Sequence, residues 1–255
     1  MKIKHSIIGI KTLSTAVIVA ALAIVNTGCS TTCSSKKNSC STKQSCSAGA
    51  GAQTKESQSA ITPGDALDKL RAGNQRFVSG QPMKRDLAAQ RSATAAGQFP
   101  YAVVLSCLDS RTSTEQVFDQ GIGDVFNARV AGNVLNDDIL GSMEFACKAA
   151  GAKLIAVVGH SKCGAVKGAC SKVQLGNLTG LLDKIQPAVA STLSLPEGQK
   201  PTDAQVDAVA VANVKLVMKQ INDRSPLLAE MAKQGQIKIV GGMYDLDTGV
   251  VKFLD

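Results

Sequence analysis

The sequence predicts an α/β fold in which a mainly parallel central sheet is flanked by helices. Two short apolar runs, 101–105 and 153–158, are each bounded by turn residues, which is typical of strands buried on both faces of a parallel sheet. Helical patterns alternate with these runs along the chain. Such alternation indicates the α/β class rather than a helical bundle or a β-sandwich.

The first part of the folded region is predicted to contain one helix and two strands. Residues 63–78 have the apolar spacing of a helix, which Gly73 is expected to interrupt. After a polar stretch, the run 101–105 forms the first strand, and residues 124–130 form the second.

The rest of the chain continues the alternation and closes with a hairpin. A helix is predicted from Asn136 or Asp137 to Gly151, and a strand at 153–158. The capping-box pattern Thr202–Gln205 predicts the start of a long helix that reaches about Asn222. A short helix is predicted to start at Ser225-Pro226 and to end at Gly235. Two strand-like runs around an Asp-Leu-Asp-Thr-Gly turn then predict a terminal β-hairpin.

The first sixty residues lack the pattern of a folded domain. Residues 12–25 are an apolar block of signal-peptide length that follows a lysine-containing start. The block ends in Asn-Thr-Gly-Cys, which resembles a bacterial lipoprotein processing site with Cys29 as the lipidated residue. We therefore predict a signal peptide over residues 1–28 and an exported, periplasmic protein that a lipid anchors to the envelope membrane. An uncleaved membrane anchor is the alternative.

Residues 29–60 are predicted to be a disordered tether, and residues 61–255 a single domain. The tether is rich in Ser, Thr, Lys, Gly and Ala, so it cannot bury enough apolar surface to offset its ordering entropy. Its cysteines, Cys33, Cys40 and Cys46, fit no metal-binding spacing and are expected to be incidental thiols or disulfides.

The charge distribution argues against a nucleic-acid partner. Of the net charge of +8, residues 1–60 carry +6 through seven lysines and one glutamate, which leaves about +2 for the domain. The domain also has no basic run, and the chain has no tryptophan. A nucleic-acid-binding domain would carry a concentrated basic surface.

Two groups of metal-ligand residues follow predicted strands. Cys107 and Asp109 come after the first strand, and His160 and Cys163 come after the third. Because ligands collect beyond the carboxyl ends of parallel strands, these side chains are predicted to converge. Two thiolates, an imidazole and a carboxylate suit tetrahedral zinc. Arg111 offers Asp109 a charged partner, which gives a way to open one zinc position, as a catalytic site requires.

Three ordered motifs resemble those of the β-class carbonic anhydrases. They are Cys-Leu-Asp-Ser-Arg at 107–111, Gly-Asp-Val-Phe-Asn-Ala-Arg-Val-Ala-Gly-Asn at 123–133 and Gly-His-Ser-Lys-Cys-Gly-Ala at 159–165. The resemblance covers about residues 63–255. It implies a zinc enzyme, with one Zn²⁺ per chain, in which zinc-bound hydroxide converts CO2 to bicarbonate and a proton, reversibly.

The resemblance also implies roles for the converging residues. Cys107, His160 and Cys163 would bind zinc permanently. Asp109 would be either the fourth zinc ligand or the partner of Arg111, so that these two catalytic residues control the open zinc position.

The residues of the substrate pocket match the family less evenly. Gln98 stands where the family has a substrate-contacting amide, and Phe126 where it has an apolar wall. Gly164 matches a glycine whose backbone N–H faces the zinc-bound oxygen. Phe145 replaces a tyrosine of many relatives, which removes a polar group. Val104 replaces the tryptophan of bicarbonate-inhibited members, which favours an open resting site.

The resemblance further implies a homodimer or a dimer of dimers with active sites at subunit borders, in which the 63–80 helix embraces a neighbour. Two alternatives stay open. One is a hydrolase of CS2 or COS on the same scaffold, and the other is a non-catalytic, zinc-stabilised protein of the envelope.

Overall fold

The computed structural model describes residues 51–194, 196 and 199–254. The predicted signal peptide, Cys29 and the other three tether cysteines lie outside these ranges. In the described ranges, every helix is too short or too polar to cross a membrane.

A five-stranded sheet forms the centre of the domain. Its strands are β1 (Ala102–Ser106), β2 (Val125–Arg129), β3 (Leu154–His160), β4 (Lys238–Tyr244) and β5 (Val251–Leu254). Their order is β2-β1-β3-β4-β5, in which the first four strands are parallel and β5 is antiparallel to β4. The predicted α/β class, the mainly parallel sheet and the terminal hairpin are confirmed.

Helices cover the sheet on both faces. The α-helices in the described ranges are α1 (Lys55–Ser59), α2 (Pro63–Val78), α3 (Leu87–Thr94), α4 (Thr114–Val117), α5 (Asp137–Glu144), α6 (Gly164–Cys170), α7 (Gly176–Leu182), α8 (Gln186–Thr192), α9 (Asp203–Arg224) and α10 (Pro226–Lys233), and a 3-10 helix spans Ala131–Asn133. A π-helical turn, Phe145–Ala149, continues α5 towards Gly151, whose φ of +83° ends it. The caps predicted at Asn136, Thr202 and Ser225 are present.

The alternating side chains of β1 and β3 fill two cores. Val103 and Leu105 pack on one face in a cluster that includes Val214 of α9. Val104 packs on the other face with Leu70 of α2. Every residue of β1 and β3 is buried, which explains why these strands are continuous apolar runs in the sequence. The burial of each large apolar side chain adds about 1.5–3 kcal/mol to the free energy of unfolding.

Gly73 does not interrupt the helix in which it lies, so this prediction was wrong. The helix α2 runs without a break from Pro63 to Val78. A Cβ atom at Gly73 would lie 1.8 Å from the carbonyl oxygen of Phe118. The glycine therefore allows two backbones to touch, rather than allowing a bend.

The predicted tether extends too far along the chain, because the folded domain begins before residue 61. Residues 55–59 form α1, which Thr54 caps. The buried Gln58 donates through Nε2 to the carbonyl oxygens of Pro100 at 2.7 Å and Ala150 at 2.8 Å. These two hydrogen bonds fix a polar segment whose composition indicated disorder.

Candidate active site

The three predicted zinc ligands meet at the carboxyl edge of the sheet. Cys107 follows β1, His160 ends β3, and Cys163 is the N-cap of α6. Because β1 and β3 are parallel neighbours, their carboxyl ends lie side by side. The ligand atoms of the three buried residues all lie within 4.8 Å of one another. The two sulfur atoms are 3.9 Å apart.

His160 is oriented by its own backbone neighbour. Its Nδ1 lies 2.9 Å from the carbonyl oxygen of Ser161 and donates to it, which leaves Nε2 as the free ligand atom. This Nε2 is buried and has no hydrogen-bond partner among the described residues. A buried, unpartnered imidazole nitrogen beside two thiols fits a zinc ion in both ligand type and number.

The two thiols share one negative charge. The hydrogen bond from Cys163 lowers the pKa of Cys107 to about 4, against the effect of burial. The same bond, together with burial, raises the pKa of Cys163. Burial opposes the protonation of His160, but the neighbouring Cys107 thiolate outweighs it and raises the pKa of the imidazole. Metal binding would therefore release a proton from this cluster.

Asp109 is turned towards Arg111. Its Oδ1 accepts from Arg111 Nε at 2.9 Å and from the Arg111 backbone N–H at 3.0 Å, and its Oδ2 accepts from Nη2 at 2.8 Å. The guanidinium holds the pKa of this carboxyl well below its usual range. The same Oδ2 is 3.9 Å from His160 Nε2. The described conformation is thus the one in which the carboxylate pairs with Arg111 but stays close to the ligands.

Distant carboxylates brace the loop that carries two of the ligands. The backbone N–H of Lys162 donates to Asp207 at 2.8 Å, and Lys162 Nζ pairs with Asp247 at 2.7 Å. The Leu246 N–H donates to Ser161 Oγ at 2.9 Å. No sequence pattern indicates this role for Asp207, since the residue lies within the long helix α9. Asp247 belongs to the predicted hairpin turn, but its contact could not be foreseen.

A second support reaches the Cys107 sulfur through Gly132. The Gly132 N–H donates to Cys107 Sγ at 3.3 Å, and its carbonyl accepts from Asn213 Nδ2 at 2.8 Å. Gly132 has a φ of +67°, and a Cβ there would lie 2.7 Å from Ile185 Cδ1. Only glycine fits this position without strain.

The predicted substrate-binding residues lie in three different parts of the domain. Gly164 adjoins Cys163, and a Cβ built on it would meet no atom within 4 Å. Phe126 and Phe145 meet edge to face with centroids 6.1 Å apart and line a cleft of about 700 Å³. Gln98 is exposed in the loop before β1. The Cys-His-Cys triad is not among the residues that line this cleft.

Strand polarity explains why Gln98 does not join the triad within one chain. Gln98 precedes β1 and Cys107 follows it. The five residues of this strand span about 16 Å. Phe126 lies opposite Val103, also towards the amino end of the sheet. One chain therefore supplies the triad, Asp109, Arg111 and Gly164, whereas Gln98, Phe126 and Phe145 lie elsewhere on it.

Comparisons with known proteins agree with this geometry. The model of the carbonic anhydrase family matches residues 102–251. Carbonic anhydrase 2 of Mycobacterium tuberculosis is 37% identical over 190 residues, which are 73% of this chain and 90% of the relative. The carbonic anhydrase of Mycolicibacterium smegmatis is 38% identical over 192 residues, which are 74% and 92% of the two chains.

Solved structures show the same fold. The β-carbonic anhydrase CafA of Aspergillus fumigatus superposes with a TM-score of 0.58 at 28% identity, covering 75% of this chain and 90% of that chain. The β-carbonic anhydrase CcaA superposes with a TM-score of 0.60 at 23% identity, covering 74% and 95%. The residues that match the family model, 102–251, contain the triad, the Asp109–Arg111 pair and strands β1 to β4. The chain is therefore a member of the β-class carbonic anhydrases, and it is an enzyme of that family.

Proposed function

We propose that the domain hydrates CO2 reversibly to bicarbonate and a proton at one zinc ion held by Cys107, His160 and Cys163. The observation that carries the proposal is the buried triad, in which His160 Nε2 has no hydrogen-bond partner among the described residues. Zinc in such a site acts as a Lewis acid that lets water lose a proton near neutral pH.

Arg111 has the role of keeping Asp109 away from the three ligands. The bidentate pairing uses both carboxylate oxygens, so the fourth position stays accessible to water and substrate. Loss of the guanidinium would leave Asp109, already 3.9 Å from His160 Nε2, free to become a fourth protein ligand. Gly164 directly follows Cys163 and has no side chain, and in this proposal its backbone N–H faces the substrate.

The pocket is completed, in this proposal, by a second copy of the chain. The strand β2 lies at the edge of the sheet, and Phe145 beside it is 56% exposed. Gln98, Phe126 and Phe145 lie too far from their own triad, so they would contribute to the site of a partner. A homodimer, alone or paired into a dimer of dimers, supplies that arrangement.

The test combines metal analysis with CO2 hydration measured by stopped-flow. We expect about one zinc per chain and CO2 hydration in the unaltered protein. Cys163→Ser should lose most of the zinc, because one of three ligands is weakened. Arg111→Ala should keep the zinc and lose at least tenfold in hydration rate, since Asp109 can then close the site. Arg71→Ala, which removes an exposed arginine of α2, is the matched control.

Two results would overturn the proposal. Freshly purified protein with less than a few tenths of a zinc per chain would remove the metal centre. Hydrolysis of CS2 or COS that exceeds CO2 hydration in parallel assays would show that the substrate is wrong while the metal site stands.

We also propose that the protein is exported and lipid-anchored through Cys29. The support is the sequence pattern of residues 1–29, which lie outside the described ranges. Cells expressing the full chain should incorporate labelled palmitate into it, and Cys29→Ser should abolish the label. Equal labelling of both proteins would overturn the anchor.

A further inference from the structure

Three consecutive carbonyl groups of the ligand loop converge on one side chain, Arg129. The loop starts at Cys107 and continues through Leu108 and Asp109. Arg129 Nε donates to the Cys107 carbonyl at 2.9 Å, and Nη2 donates to the Leu108 carbonyl at 2.9 Å and to the Asp109 carbonyl. Thr112 Oγ1 lies 3.1 Å from the Cys107 carbonyl oxygen and 2.9 Å from the Asp109 carbonyl oxygen, so that its single O–H is shared between these two acceptors.

This arrangement needs a guanidinium. Arginine presents several N–H donors in a fixed plane, whereas lysine offers a compact charge on a flexible stem. Arg129 is the last residue of β2 and lies opposite Ser106, the last residue of β1. The pairing of β1 with β2 therefore places Arg129 next to the point where the ligand loop leaves the sheet.

Because the hydrogen bonds to Arg129 hold these carbonyls on one side of the loop, they also determine where the side chains of the loop lie. Cys107 Sγ is within 4.8 Å of the other two ligand atoms. Asp109 pairs with Arg111, and its Oδ2 lies 3.9 Å from His160 Nε2. Both positions depend on the same short stretch of backbone. A loop free to rotate its peptide groups would move the thiolate and the carboxylate together.

We infer that Arg129 is a positioning residue that sets, through the backbone, both the place of Cys107 in the metal site and the choice of Asp109 between metal and Arg111. Arg111 acts on the carboxylate itself, whereas Arg129 acts on the loop that carries it. The inference rests on the proposed zinc site, which it deepens by naming the group that organises the site.

The experiment compares Arg129→Lys, Thr112→Val and Thr112→Ser with the unaltered protein and Arg71→Ala. Zinc affinity is measured by competition with a coloured chelator. The visible spectrum of the Co²⁺-substituted protein reports the coordination geometry, and thermal melting of the metal-free protein reports the fold. These readouts do not depend on activity.

Arg129→Lys should lower zinc affinity at least tenfold and alter the Co²⁺ spectrum, because an ammonium group has three N–H donors but lacks the fixed planar geometry that reaches all three carbonyls. Thr112→Val should do the same to a smaller extent, since it removes the hydroxyl whose O–H is shared between two of the same carbonyls. Thr112→Ser, which keeps that donor, and Arg71→Ala should match the unaltered protein.

The inference fails if Arg129→Lys keeps the original zinc affinity and Co²⁺ spectrum, even when its melting temperature falls. If Arg129→Lys does not fold, the Thr112 pair decides by the same two readouts, and equal values for Val and Ser overturn the inference. Zinc binding without CO2 hydration in the unaltered protein would refute the proposed function but leave the affinity comparison valid. An unaltered protein that binds no zinc would refute both.

Discussion

Asp119 is a buried carboxylate that two arginines share. Its side chain is 4% exposed and pairs with Arg76 of α2 and with Arg85, while the Met83 N–H donates to it at 3.1 Å. Burial opposes its charge, but the two guanidinium groups outweigh this effect and lower its pKa. Asp119 thus ties the loop after α2 to the segment before β2.

Replacing Asp119 by asparagine should destabilise the protein in a pH-dependent way. Its φ of +46° suits asparagine, so the backbone is not strained. At pH 7 we expect the free energy of unfolding to fall by about 3 kcal/mol, because two arginines lose their buried partner. Because the pKa of Asp119 is lower in the folded protein than in the unfolded chain, its charge stabilises the folded state fully at pH values above the unfolded pKa of about 3.9. This stabilisation is lost as the pH falls through the folded-state pKa.

Urea unfolding at pH 7, 5 and 3 measures the effect. The difference between the unaltered protein and Asp119→Asn should be full at pH 7 and 5 and smaller at pH 3. Asp68→Asn, which breaks an exposed pair with Arg71, is the control and should change little. A difference that is the same at all three pH values would contradict the ionic origin.

At the scale of elements, Gly73 shows how helix α2 approaches its neighbour. Gly73→Ala should destabilise the protein by about 2 kcal/mol, although alanine favours helices. The added methyl would lie 1.8 Å from the Phe118 carbonyl oxygen. Gly180→Ala in α7 is the matched control, since a Cβ there meets nothing within 4 Å, and it should stabilise by up to about 1 kcal/mol.

Chemical unfolding of the two alanine variants compares these effects directly. Equal changes for Gly73→Ala and Gly180→Ala would show that only helix propensity matters. The close contact between α2 and Phe118 would then have no energetic weight.

The elements that could be predicted from the sequence are those with strong local patterns. The buried runs of β1 and β3 are apolar on both faces, and the capping box at Thr202 marks the start of α9. The helix α3 was missed because its stretch is polar and only Gln90 is buried in it. The helix α1 was missed because its anchoring depends on contacts 42 and 92 residues away in sequence.

The candidate site divides in the same way. Cys107, Asp109 and Arg111 lie within five residues, and His160 precedes Cys163 by three, so the ligand set could be read from two short segments. The bonds of Arg129 to the loop carbonyls, and of Asp207 to the Lys162 N–H, depend on backbone positions that exist only in the fold. Sequence patterns therefore predict the ligands better than the groups that position them.

At the scale of the whole molecule, the exposed edge of the sheet bears on assembly. Phe145→Asp should reduce the solution mass from a multiple of the chain mass towards that of one chain, because a charge would enter the proposed apolar contact near β2. Leu175→Asp is the control, since Leu175 is 65% exposed and belongs to the segment before α7. Light scattering after size exclusion measures the mass.

If the unaltered protein already has the mass of one chain, the proposed assembly is wrong. If Leu175→Asp lowers the mass and Phe145→Asp does not, the interface lies on another face of the domain.

The docking of Gln58 should matter for the stability of the whole domain. Gln58→Leu should destabilise it by about 2 kcal/mol, because the carbonyls of Pro100 and Ala150 lose their donor. Lys55→Gln, on the exposed side of the same short helix, should change stability little. Urea unfolding of both variants measures the difference, and equal stability would mean that α1 is not part of the cooperative unit.

The position of Gln58 determines at which end of the sheet the chain enters the folded domain. Pro100 and Ala150 precede β1 and β3, so α1 is bound at the amino end of the sheet, opposite the carboxyl edge where the Cys-His-Cys triad lies. The chain therefore enters the folded domain on the side away from the triad.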